Sequence, residues 1–141
     1  MNTYRPEFFR IEELVTPAIY SARGERAWEL LQARALVTLD QLRKRFGPIT
    51  VNNWHIGGAY KESGLRDYNT PTGAALSQHK FGGAFDCKSR NVTPEEMHSY
   101  ILSHPSEFPY LTTLEDVAYT PSWLHFDGRN HDRNQIWVVK P

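Results

Sequence analysis

Two short segments of the 141-residue chain bring together side chains that can hold a metal ion. The first is Ser77-Gln78-His79-Lys80-Phe81-Gly82-Gly83-Ala84-Phe85-Asp86, and the second is Trp123-Leu124-His125-Phe126-Asp127. A catalytic zinc takes three protein ligands from neutral imidazole and carboxylate, and it leaves the fourth position to a water that it acidifies. His79, Asp86 and His125 supply two imidazoles and a carboxylate, which meets that count. Gly82 and Gly83 stand between the first two, where a chain turning sharply from a loop into a strand needs residues without a Cβ. Strand alternation puts Asp86 on the face of Ala84, opposite Phe85 and Cys87. It likewise puts Trp123, His125 and Asp127 opposite Leu124 and Phe126. Each segment therefore reads as a strand with one polar and one apolar face.

The elements that must position these strands follow from pattern and punctuation. Residues 8–14 form an amphipathic opening whose Phe9, Ile11 and Leu14 can cover a core. Over 25–46, Trp28, Leu31, Ala35, Leu39, Leu42 and Phe46 recur at spacings of three and four, which predicts one helix that Gly47 and Pro48 stop. Ile49 and Val51 read as a strand, and a polar, glycine-marked loop runs over 54–76, a length usually reserved for function. Thr93-Pro94-Glu95-Glu96 is a capping box with proline at the first helical position, opening a helix to about residue 104 with Met97, Tyr100 and Ile101 inward. Strands are expected at 111–119, 123–129 and 135–140. The sum is a single α+β domain over 1–141, a small antiparallel sheet packed against helices.

The pattern S-x-H-x-x-G-x-A-x-D, followed downstream by W-x-H, resembles the zinc D-alanyl-D-alanine carboxypeptidase family, which includes VanY-type peptidases and phage L-alanyl-D-glutamate endopeptidases. Ser77, His79, Gly82, Ala84 and Asp86 match the first motif and His125 the second, and the likeness extends over most of residues 8–140. It implies a hedgehog/DD-peptidase fold, one Zn2+ on His79, Asp86 and His125, and peptidoglycan stem peptides as substrate. The resemblance also implies an upstream arginine for the substrate's carboxylate, for which Arg66 is the candidate, and a substrate contact at Ser77.

One position departs from the family pattern. Its best-known members carry a glutamate three residues before the second histidine, and here that residue is Ser122. The motif thus leaves the general base open. Glu115, on a strand that antiparallel pairing could fold back to the metal, is the first candidate, and Asp127 is the second. Asp116 would point to the opposite face. The missing glutamate also keeps two other readings in view: a zinc-binding module that docks wall peptide without cleaving it, and a structural virion domain with the same fold.

Composition bounds the remaining choices. Sixteen basic and sixteen acidic residues are interspersed, without the basic footprint of a nucleic-acid binder. Cys87 is the only cysteine, which excludes an internal disulfide and a thiolate-built metal site, and its place opposite Asp86 suggests a buried thiol. No window approaches about 18 apolar residues, so no membrane span is expected. The first seven residues lack a basic segment followed by an apolar run. Synthesis in the cytoplasm without a signal peptide is the expectation, with access to the wall as a phage endolysin or virion component. His98 and His104 are expected outside the site, His55 and His131 are ambiguous, and Trp54 and Trp123 read as packing residues, Trp123 with a second option as the floor of a substrate groove.

Overall fold

Helix α1 (Pro17–Arg23) begins where the Thr16 hydroxyl accepts a hydrogen bond from the Ile19 amide at 3.2 Å and Pro17 occupies the first turn. The structure, a computed structural model, describes residues 4–141. A helix of seven residues is too short to show an apolar period, so this one is signalled by its cap alone.

Helix α2 (Ala33–Phe46) carries the expected stripe, with Ala35, Leu36, Leu39, Leu42 and Phe46 buried. It does not extend back to residue 25. Gly24–Leu30 is a 3-10 helix, and Leu31 is extended, with ψ of 136°. The cause is tertiary. The Gln32 amide donates to the Gly82 carbonyl at 3.0 Å and its side-chain Nε2 to the Phe81 carbonyl at 3.1 Å, so this residue leaves the helical ladder to grip the turn that carries His79. Gly47, at φ of +83°, ends α2.

The remaining elements are β1 (Ile49–Thr50), β2 (Ala84–Ser89), α3 (Pro94–Ser103), β3 (Thr113–Glu115), β4 (Leu124–Asp127) and β5 (Trp137–Val139). The capping box at Thr93 and Glu96 opens α3 as expected, and Met97 and Ile101 are buried. The five strands form one sheet in the order β1-β2-β4-β3-β5. The sheet is mixed rather than wholly antiparallel, because β3 and β5 run parallel. The chain reverses after β4 but lands beside β3 instead of β4, and a strand antiparallel to β4 must then run with β3.

Phe85, Cys87, Leu114, Leu124 and Phe126 on one face of the sheet join Leu36, Leu39, Leu42, Met97 and Ile101 of the helices in one core. Each such side chain contributes about 1.5–3 kcal/mol when fully buried. The 54–76 loop has little regular structure beyond the 3-10 turn Trp54–Ile56 and a single parallel bridge from Leu65 to Val15. It is nonetheless tied down. The Leu65 amide donates to Leu14 (2.8 Å), the Arg66 amide to His79 (3.1 Å) and the Asp86 amide to Ser63 (2.8 Å), which lays the loop along the polar side of β2. Among the described residues, no helix is long and apolar enough to cross a membrane.

Candidate metal centre

Strand register explains why the two motif segments meet. In the β2–β4 pair Asp86 lies directly opposite His125. In the β3–β4 pair Thr113 faces Asp127 and Leu114 faces Phe126, so one further step brings Glu115 beside His125. His79 arrives from the 3-10 turn Gln78–Phe81, whose start is capped by Ser77 Oγ accepting from the His79 amide at 3.2 Å. Gly82 ends that turn at φ of +73°, and a Cβ there would stand 2.0 Å from the Leu30 carbonyl oxygen. Both the backbone angle and the neighbour demand glycine.

The result is a tight triangle of buried side chains. His79 Nε2 lies 3.3 Å from His125 Nδ1 and 3.3 Å from Asp86 Oδ1, and His125 Nδ1 lies 3.0 Å from Asp86 Oδ1. The far nitrogen of each ring faces an acceptor. His79 Nδ1 is 2.9 Å from the Gly64 carbonyl oxygen, and His125 Nε2 is 2.9 Å from Asp127 Oδ2. Those acceptors hold the ring protons on the far nitrogens, so in the neutral rings both near nitrogens present lone pairs to the carboxylate oxygen between them.

Three converging lone pairs can be completed by a metal ion or by a proton. Ligand bonds of about 2.0–2.1 Å in a tetrahedral arrangement would separate donor atoms by about 3.3–3.4 Å; two of the three contacts lie at that separation and the third, at 3.0 Å, is shorter. The three residues could therefore hold a metal ion. Without one, the cluster gathers a proton. Burial opposes protonation of His125, but its hydrogen bonds to Asp127 and Asp86 and the charges of Asp86 and Glu115 outweigh it and push its pKa up to about 9. Burial likewise opposes ionisation of Asp86, yet the charge of His79 and hydrogen bonds to His125 and His79 hold its carboxyl well below the usual range.

Each residue singled out in the sequence has a definite place. Glu115 Oε1 is 3.7 Å from His125 Nδ1, and its side chain lines the open cleft. Asp127 occupies a different position from that expected of a second candidate base. It is fully buried and does not line the cleft; Oδ2 faces the far nitrogen of His125, while Oδ1 accepts from the Arg129 amide (3.1 Å) and Nε (2.8 Å). Burial would raise the Asp127 pKa, but the hydrogen bonds from His125 and Arg129 bring it down to about 2. It orients His125 from behind.

Arg66 reaches the cleft but does not pair with its neighbour Asp67, which accepts from the Thr16 hydroxyl instead. Its Nε donates to the Glu62 carbonyl at 2.7 Å and its Nη2 to Asp86 Oδ2 at 3.3 Å. Ser77 also lines the cleft, although its hydroxyl oxygen already caps the His79 turn. Trp123, Tyr119, Arg129 and Trp137 complete the walls of a cavity of about 920 Å³. His55, His98, His104 and His131 lie outside it; His131 Nε2 instead sits 2.8 Å from the Thr112 carbonyl oxygen. Arg129 and Lys88 are the polar residues that the sequence reading passed over. Alternation could have found Lys88, which shares the Asp86 face of β2.

No protein-family model, curated protein or solved structure matches the chain.

Proposed function

We propose that this protein is a zinc-dependent peptidase of the hedgehog/DD-peptidase fold that cleaves peptidoglycan stem peptides, as a D-alanyl-D-alanine carboxypeptidase or an L-alanyl-D-glutamate-type endopeptidase. The observation that carries the reading is the convergence of three buried lone pairs on one point beside an open cleft, with a fourth group, Glu115, at its edge. Bound there, zinc would acidify a water and polarise the scissile carbonyl.

The chain's own groups divide the remaining work. Glu115 takes the proton from the attacking water and hands it to the departing amine, a role that requires reach within about 3 Å of that water. Gly64 and Asp127 fix the two imidazoles through their far nitrogens, and Arg66 holds the outer oxygen of Asp86. Trp123 walls the groove in which the peptide lies.

Ser122 favours a second reading. It is exposed where the related motif has its glutamate, and without that glutamate the site could hold zinc and dock wall peptide without hydrolysis. Metal analysis together with a muropeptide digest separates the two. One zinc per chain and new amino groups support the peptidase, whereas zinc without cleavage supports the docking module. Glu115→Gln is expected to keep its zinc and to lower kcat by about 10²–10⁴-fold; a variant that digests at the parent rate would remove Glu115 from the mechanism.

A further inference from the structure

We propose that Lys88 and the pocket around it bind a free carboxylate of the substrate, close to the bond held at the metal centre. The inference rests on the peptidase reading for its substrate class, and it begins from an uncompensated charge. Asp86 and Lys88 are alternate residues of β2, so they share a face and stand about 7 Å apart along the strand. The Lys88 ammonium donates to Ser63 Oγ at 2.9 Å and lies 4.0 Å from the centre of the Tyr60 ring. Among the described residues it forms no ion pair.

The two carboxylates that line this pocket, Glu62 and Asp86, have partners other than Lys88. Glu62 accepts from the Thr70 hydroxyl at 3.1 and 3.2 Å, and Asp86 faces His79, His125 and Arg66. A half-buried cation without a counter-charge is costly, and an incoming carboxylate would relieve that cost. Arg66, the residue to which the family resemblance gives this task, already spends its Nε on Glu62 and its Nη2 on Asp86. Lys61 and Lys140, which also line these cavities, are exposed, so Lys88 is the half-buried cation without a counter-charge.

The surroundings form a site of suitable shape. Tyr60, Lys61, Glu62, Ser63, Ser122 and Trp123 join Lys88 in lining a pocket of about 530 Å³. Arg66, Thr72, Asp86 and Trp123 line both this pocket and the metal cleft, so one extended peptide can occupy the two without a break. Ser122 acquires a meaning here. A glutamate in its place would bring a carboxylate to the wall of the Lys88 pocket, whereas serine leaves the ammonium to the ligand.

Two stem-peptide carboxylates offer this chemistry, the C-terminal one and the α-carboxylate of a γ-linked D-glutamyl residue. Isothermal titration of the zinc-loaded protein with two acid–amide pairs of synthetic stem peptides, each pair differing at one of those carboxylates, tests the proposal and identifies the source. One acid is expected to bind about 10–100-fold more tightly than its amide. Lys88→Met should bring that ratio to within about twofold, Lys88→Arg should keep part of it, and Ser122→Glu, at an exposed position that tolerates change, should abolish it by supplying an internal carboxylate. Ratios near one for both wild-type pairs, failure of both acids to bind, or a ratio that survives Lys88→Met and Ser122→Glu overturns the proposal. Discrimination without cleavage would remove the peptidase reading and keep the subsite; cleavage without discrimination would do the reverse.

Discussion

On one face of the β2–β4 pair, Phe85, Cys87, Leu124 and Phe126 are sealed into the core; on the other, one residue along each strand, Asp86 and His125 meet His79 in a triangle of polar atoms. The same backbone ladder sets both faces. A slip of one residue would exchange them, so burial of the apolar set is also what keeps Asp86 opposite His125. The faces differ in what completes them. The apolar side is finished by the protein's own helices, while the polar side leaves three ligand atoms converging on a point that a proton or a metal ion can fill. In such a cluster the attraction between charges is offset by the cost of desolvating them, so its contribution depends on pH. One face holds the fold, and the other is held by it.

The sharpest way to break this division is to damage each face in turn. Phe126→Ala should cost about 3–5 kcal/mol in urea unfolding of the chelator-treated protein. His79→Ala should cost less than half as much under the same conditions, yet leave no stoichiometric zinc at concentrations that saturate the parent. Equal losses of stability from the two variants would show that the polar triangle holds the fold as well.

A pH series tests the shared proton. The pKa of His125 rises from its ordinary 6.5 to about 9 on folding, so its contribution is full below about pH 6.5 and fades as pH climbs to 9. Asp127 falls from 3.8 to about 2, so its contribution is full above about pH 4 and fades as pH drops to 2. The metal-free protein should therefore be most stable between about pH 4 and 6.5 and lose on the order of 3 kcal/mol by pH 9. With saturating zinc the alkaline decline should vanish, because the ion replaces the proton. Parallel urea midpoints with and without zinc from pH 6 to 9 would refute this account.

The smallest effect sharpens the role of Asp127. Asp127→Asn should weaken zinc about 10–100-fold in chelator competition while leaving the ion bound at saturation, as expected of a group that orients a ligand without touching the metal. Complete loss of zinc would assign it a larger part.

What was legible in the sequence follows the range of the forces involved. Alternation is local, so the polar and apolar faces of 84–86 and 123–127 could be read directly, as could the capping box at Thr93 and the glycine turn after His79. Antiparallel return of Glu115 to His125 was within reach for the same reason. The continuous 25–46 helix failed because Gln32 bonds to residues 81 and 82, far along the chain. The parallel placement of β5 depended on which edge the chain reached after turning, and no local signal encodes that choice. Asp127 could be counted as a carboxylate near the site, but spacing does not say which nitrogen of His125 it meets. Arg66 was expected to await the substrate's carboxylate. Its actual side-chain partner, Asp86, lies on β2, twenty residues along the chain from this loop position.

Cys87 sits immediately after Asp86 but on the sealed side of the strand, wholly buried, and burial pushes its thiol pKa well above the ordinary value. Alkylating reagents attack the thiolate, so they can reach this sulfur only when β2 parts from its surroundings. As the chain's single cysteine, it gives one labelling event per molecule. Its modification rate under native conditions is therefore a clock for the opening of the strand that carries Asp86, and zinc bound at the proposed site should slow that clock.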